Sequence, residues 1–123
     1  MFKYIHNKGD DYMIDVNFEY ERGILFVRLE GKVNSNSISS VNKNLMDIIS
    51  RGGIKYLVLN ISNAIIEERI SLFDECNTLI KNNGGKLFLC GLKNKIDSVI
   101  SSNYDGCIKV NNELNALKMI SLC

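Results

Sequence analysis

The chain has 123 residues, of which 46% are hydrophobic and 24% charged, the composition of one globular domain. Its 15 basic residues nearly balance its 14 acidic residues, so the net charge gives no basic footprint for nucleic acid or an anionic membrane. The sequence has no run of about 18 apolar residues and no apolar segment typical of a secretion signal. We therefore expect a cytoplasmic protein that neither inserts into a membrane nor binds nucleic acid.

The N-terminal part of the chain predicts a β-hairpin. Residues 1–11 are mixed and polar, and we expect a short lead-in there, ahead of a single domain over 12–123; whether the lead-in adds an edge strand stays open. Apolar and polar residues alternate over 13–20, which is typical of a strand with one buried face. A tight turn over 21–23 leads into a second alternating strand over 24–31. So short a connection favours an antiparallel pair.

After the hairpin, helical patterns alternate with short apolar runs. Apolar residues recur at helical spacing in four segments, and the runs between them are typical of strands buried on both faces. The expected elements are a helix from the N-cap Ser37 to Gly52-Gly53, a strand over 56–61, a loop over 62–64, a helix from Ile66 to Gly84-Gly85, a strand over 86–91, a helix over 92–100, a strand over 107–110 and a helix capped by Asn111-Asn112. This order predicts an α/β fold: a mixed, mostly parallel sheet with an N-terminal hairpin, covered by about four helices.

The residue types that carry most catalytic and metal chemistry are missing or badly placed. His6 is the only histidine and lies in the lead-in, so the chain offers no Ser-His-Asp, Cys-His or multi-histidine site. The cysteines Cys76, Cys90, Cys107 and Cys123 follow no zinc-binding spacing, and we expect reduced thiols. No glycine-rich loop precedes a helix in the way that binds phosphate. We therefore expect no enzymatic activity, no metal and no cofactor.

The order and spacing of four segments resemble the STAS family, the sulfate-transporter and anti-sigma-factor-antagonist domains. The segments are a strand ending in a glycine and a short turn, the central strand with its polar exit, a helix joined by a glycine pair to a strand, and the start of the last helix. The matching residues are Val27–Asn34, Tyr56–Asn63, Ile80–Gly91 and Glu113–Leu117. The resemblance runs from Ile24 to the C-terminus, and it implies the same fold class that the elements predict.

The resemblance also implies a regulatory binding function. Bacterial members of the family capture an anti-sigma factor, often a serine kinase, and so release a sigma factor. The kinase phosphorylates a serine at the N-terminus of the second helix, and the added charge weakens binding. Counting back from Gly84-Gly85 puts Glu67 at that position, with Glu68 beside it and Arg69 at the glycine of the motif. Counting forward from Asn60 puts Arg69 at the acceptor position instead.

The chain thus lacks the phosphoacceptor serine of the family. Ser62 and Ser71 flank the region but match neither count. Either Glu67 mimics a permanently phosphorylated serine, or the site has drifted and phosphorylation does not govern binding. We favour the second interpretation, because an acidic residue at a helix start is common for electrostatic reasons alone.

The resemblance places a partner-binding surface at the entry to the second helix and at the loop before the first. The residues predicted to contact the partner are Asn34, Ser35, Asn36, Asn63, Glu67, Glu68 and Arg69. The expected partner is an anti-sigma factor or a related serine-kinase-type regulator, and the alternative is a STAS accessory subunit of a transporter assembly. A small enzyme or nucleotide-binding domain has no motif in its favour, and a homodimer through the first hairpin stays open. The competing interpretation is that Asn and Ser in the first loop are ordinary capping and turn residues.

Overall fold

The structure is a computed structural model that describes residues 2–7, 14–66, 72–91 and 107–122. Its strands are β1 (Phe2–Asn7), β2 (Ile14–Glu21), β3 (Ile24–Val33), β4 (Tyr56–Ile66), β5 (Lys86–Cys90) and β6 (Cys107–Val110), and its helices are α1 (Ser35–Gly52), α2 (Leu72–Asn82) and α3 (Glu113–Ser121). The strands form one sheet in their order along the chain. Neighbouring strands from β1 to β3 are antiparallel, and those from β3 to β6 are parallel. The predicted α/β fold with a mixed, mostly parallel sheet is therefore confirmed.

The predicted hairpin consists of β2 and β3. Glu21 lies opposite Ile24 in the register, so only Arg22 and Gly23 form the turn. Both turn residues have positive φ angles, 53° and 81°, as in the hairpin turns whose twist matches that of the strands. The lead-in forms β1, which pairs antiparallel along the outer edge of β2.

Helices α1 and α2 cover one face of the sheet. The apolar residues of α1 recur at helical spacing, and Ile38, Val41, Leu45 and Ile49 are all buried. They join the inward-facing side chains of the central strands and of α2 in the larger of two cores. The helix ends at Gly52, as the glycine pair predicts.

Helix α3 lies on the other face, where it packs on β4, β5 and β6. Its residues Ala116 and Ile120 belong to a second core with Phe26, Val58 and Phe88. The helix expected over 92–100 lies outside the described residues. None of the helices that the structure describes combines the length and the apolar character needed to cross a membrane.

Strand β4 is longer than predicted. We expected a loop over 62–64 and a helix from Ile66, but the chain stays extended to Ile66. The reason is that β3 runs to Val33 and offers backbone hydrogen-bonding partners, with Val33 opposite Ile66. Ala64 is buried in the larger core, so the extension also gains apolar contact. A pairing partner far away in the sequence thus overrides a local pattern of polar residues that is typical of a loop.

Candidate functional site

The carboxyl ends of β3 and β4 lie side by side in the sheet. Val33 and Ile66 are the last residues of these strands and are register partners. Residues 34–36 directly follow β3, so the chain enters this segment beside the end of β4. Glu67, Glu68 and Arg69 follow Ile66 in the sequence and lie outside the described residues, so their part in a contact surface stays a prediction.

Asn34 has a structural role as the N-cap of α1. Its side-chain oxygen accepts hydrogen bonds from the backbone N–H groups of Asn36 and Ser37, each at 3.0 Å. Ser37 Oγ accepts a hydrogen bond from the backbone N–H of Asn34 at 3.0 Å, which completes a capping box. The predicted cap at Ser37 is therefore wrong. Asn34 has the extended backbone of a cap, and Ser37 is a buried residue of the first helical turn.

The other described residues that were predicted to contact a partner lie on two sides of the sheet. Ser35 and Asn36 are exposed on the first turn of α1. Asn63 is exposed on β4, opposite Glu30 of β3. Its neighbour Ala64 faces the core that α1 covers, so Asn63 lies on the opposite face. The structure thus groups Ser35 with Asn36 and separates Asn63 from both.

Arg28 of β3 lies at the centre of a polar network that no sequence pattern predicted. Its Nε and Nη2 atoms donate hydrogen bonds to the two carboxylate oxygens of Glu113, at 2.7 and 2.8 Å. Its Nη1 atom donates to Asn17 Oδ1 at 2.7 Å and to Glu19 Oε1 at 2.8 Å. Asn60 Nδ2 donates to Glu113 Oε2 at 2.8 Å. The network therefore ties α3 to the three strands β2, β3 and β4.

The sheet register places the strand residues of this network together. Asn17, Arg28 and Asn60 are aligned across β2, β3 and β4. Glu113 is the first residue of α3, directly after the cap Asn112, where a negative charge is also favourable to the helix dipole. The one signal in the sequence was that Arg28 and Asn60 interrupt apolar strands. Nothing local relates them to Glu113, which is 85 positions from Arg28.

The network is a partly buried, bidentate ion pair with additional acceptors. The side chains of Arg28 and Glu113 are 34% and 22% exposed. The Arg28 guanidinium holds the pKa of the Glu113 carboxyl below its usual range, against the opposing effect of burial. Hydrogen bonds to Glu113 and then to Glu19 raise the pKa of Arg28. The guanidinium also lies 5.4 Å from the centroid of the Phe26 ring, a cation–π contact.

We expect this ion pair to make part of the folding stability depend on pH. Because the pKa of Glu113 is lowered in the folded protein, its contribution is present above the unfolded-state pKa and is lost as pH falls through the folded-state value. As pH falls from about 7 to about 3, the free energy of unfolding measured with urea should therefore decrease less in Glu113→Gln than in the wild type. Glu21→Gln, at the exposed hairpin turn, is the control and should follow the wild type. Equal pH dependence in both variants would contradict this role of Glu113.

A pocket of about 270 Å³ opens beside Arg28 on the same face of the sheet. We call it the Arg28 pocket. Its lining residues are Asp15, Asn17, Arg28, Leu29, Glu30, Asn60 and Asn63. Of the predicted contact residues, Asn63 is the one that lines it. Six of the seven lining residues are polar or charged by type, and all seven come from β2, β3 and β4.

The described cysteines are free thiols with raised pKa values. Cys76 and Cys90 are buried, and Cys107 is partly buried. Burial raises the pKa of Cys90 to about 12 and that of Cys107 to about 11, and it also raises the pKa of Cys76. These thiols are therefore protonated at neutral pH and are poor nucleophiles. Among the described residues, no group of three or more His, Cys, Asp or Glu side chains is arranged to hold a metal ion.

Comparison with known proteins agrees with this architecture. A sequence model of the STAS domain family matches residues 15–102. The anti-sigma F factor antagonist of Paenibacillus polymyxa is 24% identical over 110 residues, which are 85% of this chain and 92% of that protein.

Two solved structures share the fold. The anti-sigma factor antagonist SpoIIAA in its unphosphorylated form gives a TM-score of 0.60 at 13% identity, over 86% of this chain and 97% of that one. The Bacillus cell fate determinant SpoIIAA in its phosphorylated form gives 0.64 at 14% identity, over 85% and 98%. The family match covers well over half of the chain and agrees with the shared fold. The protein therefore belongs to the STAS domain family and resembles its anti-sigma factor antagonists.

Proposed function

We propose that the protein is a non-enzymatic regulatory module that binds an anti-sigma factor, or a related serine-kinase-type regulator, by partner switching. The observation that supports this most is the similarity along 85% of the chain to an anti-sigma F factor antagonist. The fold shared with SpoIIAA is consistent with it. In this role the protein competes with a sigma factor for the same regulator and so releases the sigma factor.

The proposed contact surface lies at the carboxyl ends of β3 and β4. Ser35 and Asn36 present exposed polar side chains there, beside the end of β4. Lys32 and Ile65 are register partners at the same end of the sheet, and both are exposed on the face opposite to α1, which also carries Asn63. Ile65 is 60% exposed and supplies an apolar side chain that a partner can cover. In the proposal, residues 67–69 continue this surface.

We also propose that serine phosphorylation at the entry to the second helix does not control binding. The two counts along the sequence put Glu67 or Arg69 at the acceptor position, and neither residue can accept a phosphoryl group as a hydroxyl does. The fold is similar to both forms of SpoIIAA, so fold similarity does not bear on this point. Incubation with the cognate kinase and ATP, followed by phosphopeptide mapping, should give no phosphoserine at Ser62 or Ser71. Phosphate on Ser71 would contradict the proposal.

Binding to the anti-sigma factor encoded in the same genome is the direct test. We expect a complex by isothermal titration calorimetry, with an affinity that falls about tenfold or more in Asn36→Arg, because the new side chain disrupts a close contact. Asn82→Arg is the matched control, since Asn82 is also an exposed helical asparagine but lies in the last turn of α2. Asn34 is unsuitable for this test, because its replacement also removes the cap of α1. No complex, together with recovery of a permease or its ATPase in a pull-down from the native cell, would favour the transporter alternative.

A further inference from the structure

Strand β1 forms one outer edge of the sheet, and no other strand that the structure describes pairs with its outer side. An edge strand directs a row of backbone N–H and C=O groups away from the sheet, where a further strand can pair with them. β1 is six residues long, whereas β6 at the opposite edge has four. Among the described strands, β1 therefore has the longer open edge.

The outer edge of β1 has few of the features that prevent pairing between sheet edges. Those features are proline, a β-bulge, a very short strand and charged side chains. The chain contains no proline, and β1 pairs with β2 residue for residue from Phe2 to Asn7 without a bulge. With His6 counted as neutral, Lys3 is the only charged residue in the sequence of β1. The edge is therefore protected by one charge per chain.

We propose that β1 pairs antiparallel with β1 of a second copy of this chain, so that six strands from each copy join in one continuous sheet. The edge favours a second copy as its occupant, because that copy presents the same open row and one twofold axis lets both rows pair at once. The axis stands perpendicular to the sheet, since only that orientation makes the two strands antiparallel. Helices α1 and α2 of both copies then lie on the same side of the joined sheet.

Symmetry and the charge of Lys3 restrict the register of this pairing. Residues directly opposite each other in an antiparallel pair point to the same face, and successive residues point to opposite faces. The axis therefore passes through a residue position and not between two residues. An axis at Lys3 would place two like charges directly opposite each other, which is unfavourable. An axis at Tyr4 or Ile5, the two central residues of β1, avoids this and pairs five residues of β1 from each copy.

The proposed dimer contact is separate from the proposed partner surface. That surface lies at the carboxyl ends of β3 and β4, whereas the dimer contact runs along the outer side of β1, beyond β2. The inference therefore goes beyond the proposed function and does not rest on it. A contact of five residues in each chain is small, so the dimer should be weak and its population should depend on protein concentration.

Sedimentation equilibrium of the full chain measures this association directly. The average mass should rise from 13.9 kDa towards twice that value as the protein concentration increases from about 10 μM to about 1 mM. A constant mass of 13.9 kDa over this range would overturn the proposal and leave the edge to a strand of a different protein.

Disulfide trapping locates the contact. The background is Cys123→Ser, because the described cysteines are buried or partly buried. With oxidised glutathione, either Tyr4→Cys or Ile5→Cys should form a covalent dimer, depending on which residue lies on the axis. Lys3→Cys is the matched control in the same strand, because its two copies lie at least about 7 Å apart in both registers, too far for a disulfide.

Two trapping results would overturn the proposal. Equally rapid cross-linking of Lys3→Cys would indicate random collisions, and a doubled mass with no disulfide at Tyr4 or Ile5 would place the dimer contact elsewhere. A cysteine variant that does not fold leaves the result with the wild-type chain decisive, since sedimentation requires no substitution. Neither experiment contains an anti-sigma factor, so the dimer and the proposed function can fail independently.

Discussion

Replacing Arg28 with methionine should lower the free energy of unfolding by about 2 kcal/mol. Methionine keeps much of the apolar stem but removes the guanidinium, which leaves the carboxylates of Glu113 and Glu19 without their shared cation. Breaking a fully buried pair costs more, but Arg28 and Glu113 are 34% and 22% exposed, so solvent screening reduces the loss. Urea unfolding at neutral pH measures the change.

Arg51 provides the matched control for Arg28. Its Nε atom lies 2.8 Å from Asp47, nearly the same distance as in the Arg28 pair, but the two side chains are 83% and 56% exposed. Arg51→Met should therefore change stability by no more than about 0.5 kcal/mol. In a double-mutant cycle, Glu113→Gln should cost less in the Arg28→Met background than in the wild type. If Arg28→Met and Arg51→Met lower the free energy of unfolding equally, the Arg28 network contributes no more stability than a surface ion pair.

Gly85→Ala should lower the free energy of unfolding by about 3 kcal/mol, more than the loss expected for Arg28→Met. A Cβ atom at Gly85 would overlap the backbone carbonyl of Lys55. That carbonyl accepts a hydrogen bond from the backbone N–H of Lys86 at 2.7 Å, at the point where β5 begins to pair with β4. The backbone of Lys55 cannot move aside as a flexible side chain can, so the pairing between β4 and β5 must shift.

Gly84 provides the neighbouring control. It has a φ angle of 78°, but a Cβ atom there would meet nothing within 4 Å. Gly84→Ala should therefore cost only the strain of a left-handed residue, about 1 kcal/mol. Thermal or urea unfolding of both variants separates the two effects. A loss in Gly85→Ala no greater than in Gly84→Ala would mean that the close approach to Lys55 relaxes freely.

The sequence predicted only one of the two structural roles of the glycine pair Gly84-Gly85. The sequence predicted that Gly84-Gly85 ends a helix, and α2 does end just before it, at Asn82. The sequence did not predict that Gly85 is also where the chain passes against Lys55. That contact joins two segments that are adjacent only in the folded sheet, so patterns within a short stretch of sequence cannot predict it.

The predicted contact surface stays a prediction, but the structure gives the positions of four of its seven residues. Glu67, Glu68 and Arg69 lie outside the described residues, whereas Asn34, Ser35 and Asn36 lie at the edge formed by the ends of β3 and β4. The structure also shows that Asn34 caps α1, and that Asn63 lies on the other face of the sheet. Short polar residues serve caps and binding surfaces alike, so residue type alone did not separate the two roles.

Local chemistry along the sequence was sufficient to determine the hairpin, the apolar stripe of α1 and the buried parallel strands, because each depends on residues a few positions apart. Only the tertiary structure decided the length of β4, the convergence of Asn17, Arg28, Asn60 and Glu113, and the Arg28 pocket that three of these residues line. These features require strands and a helix from distant parts of the chain to meet in a particular register. The register follows from the packing of the whole sheet, and one residue of slippage would move Arg28 to the opposite face.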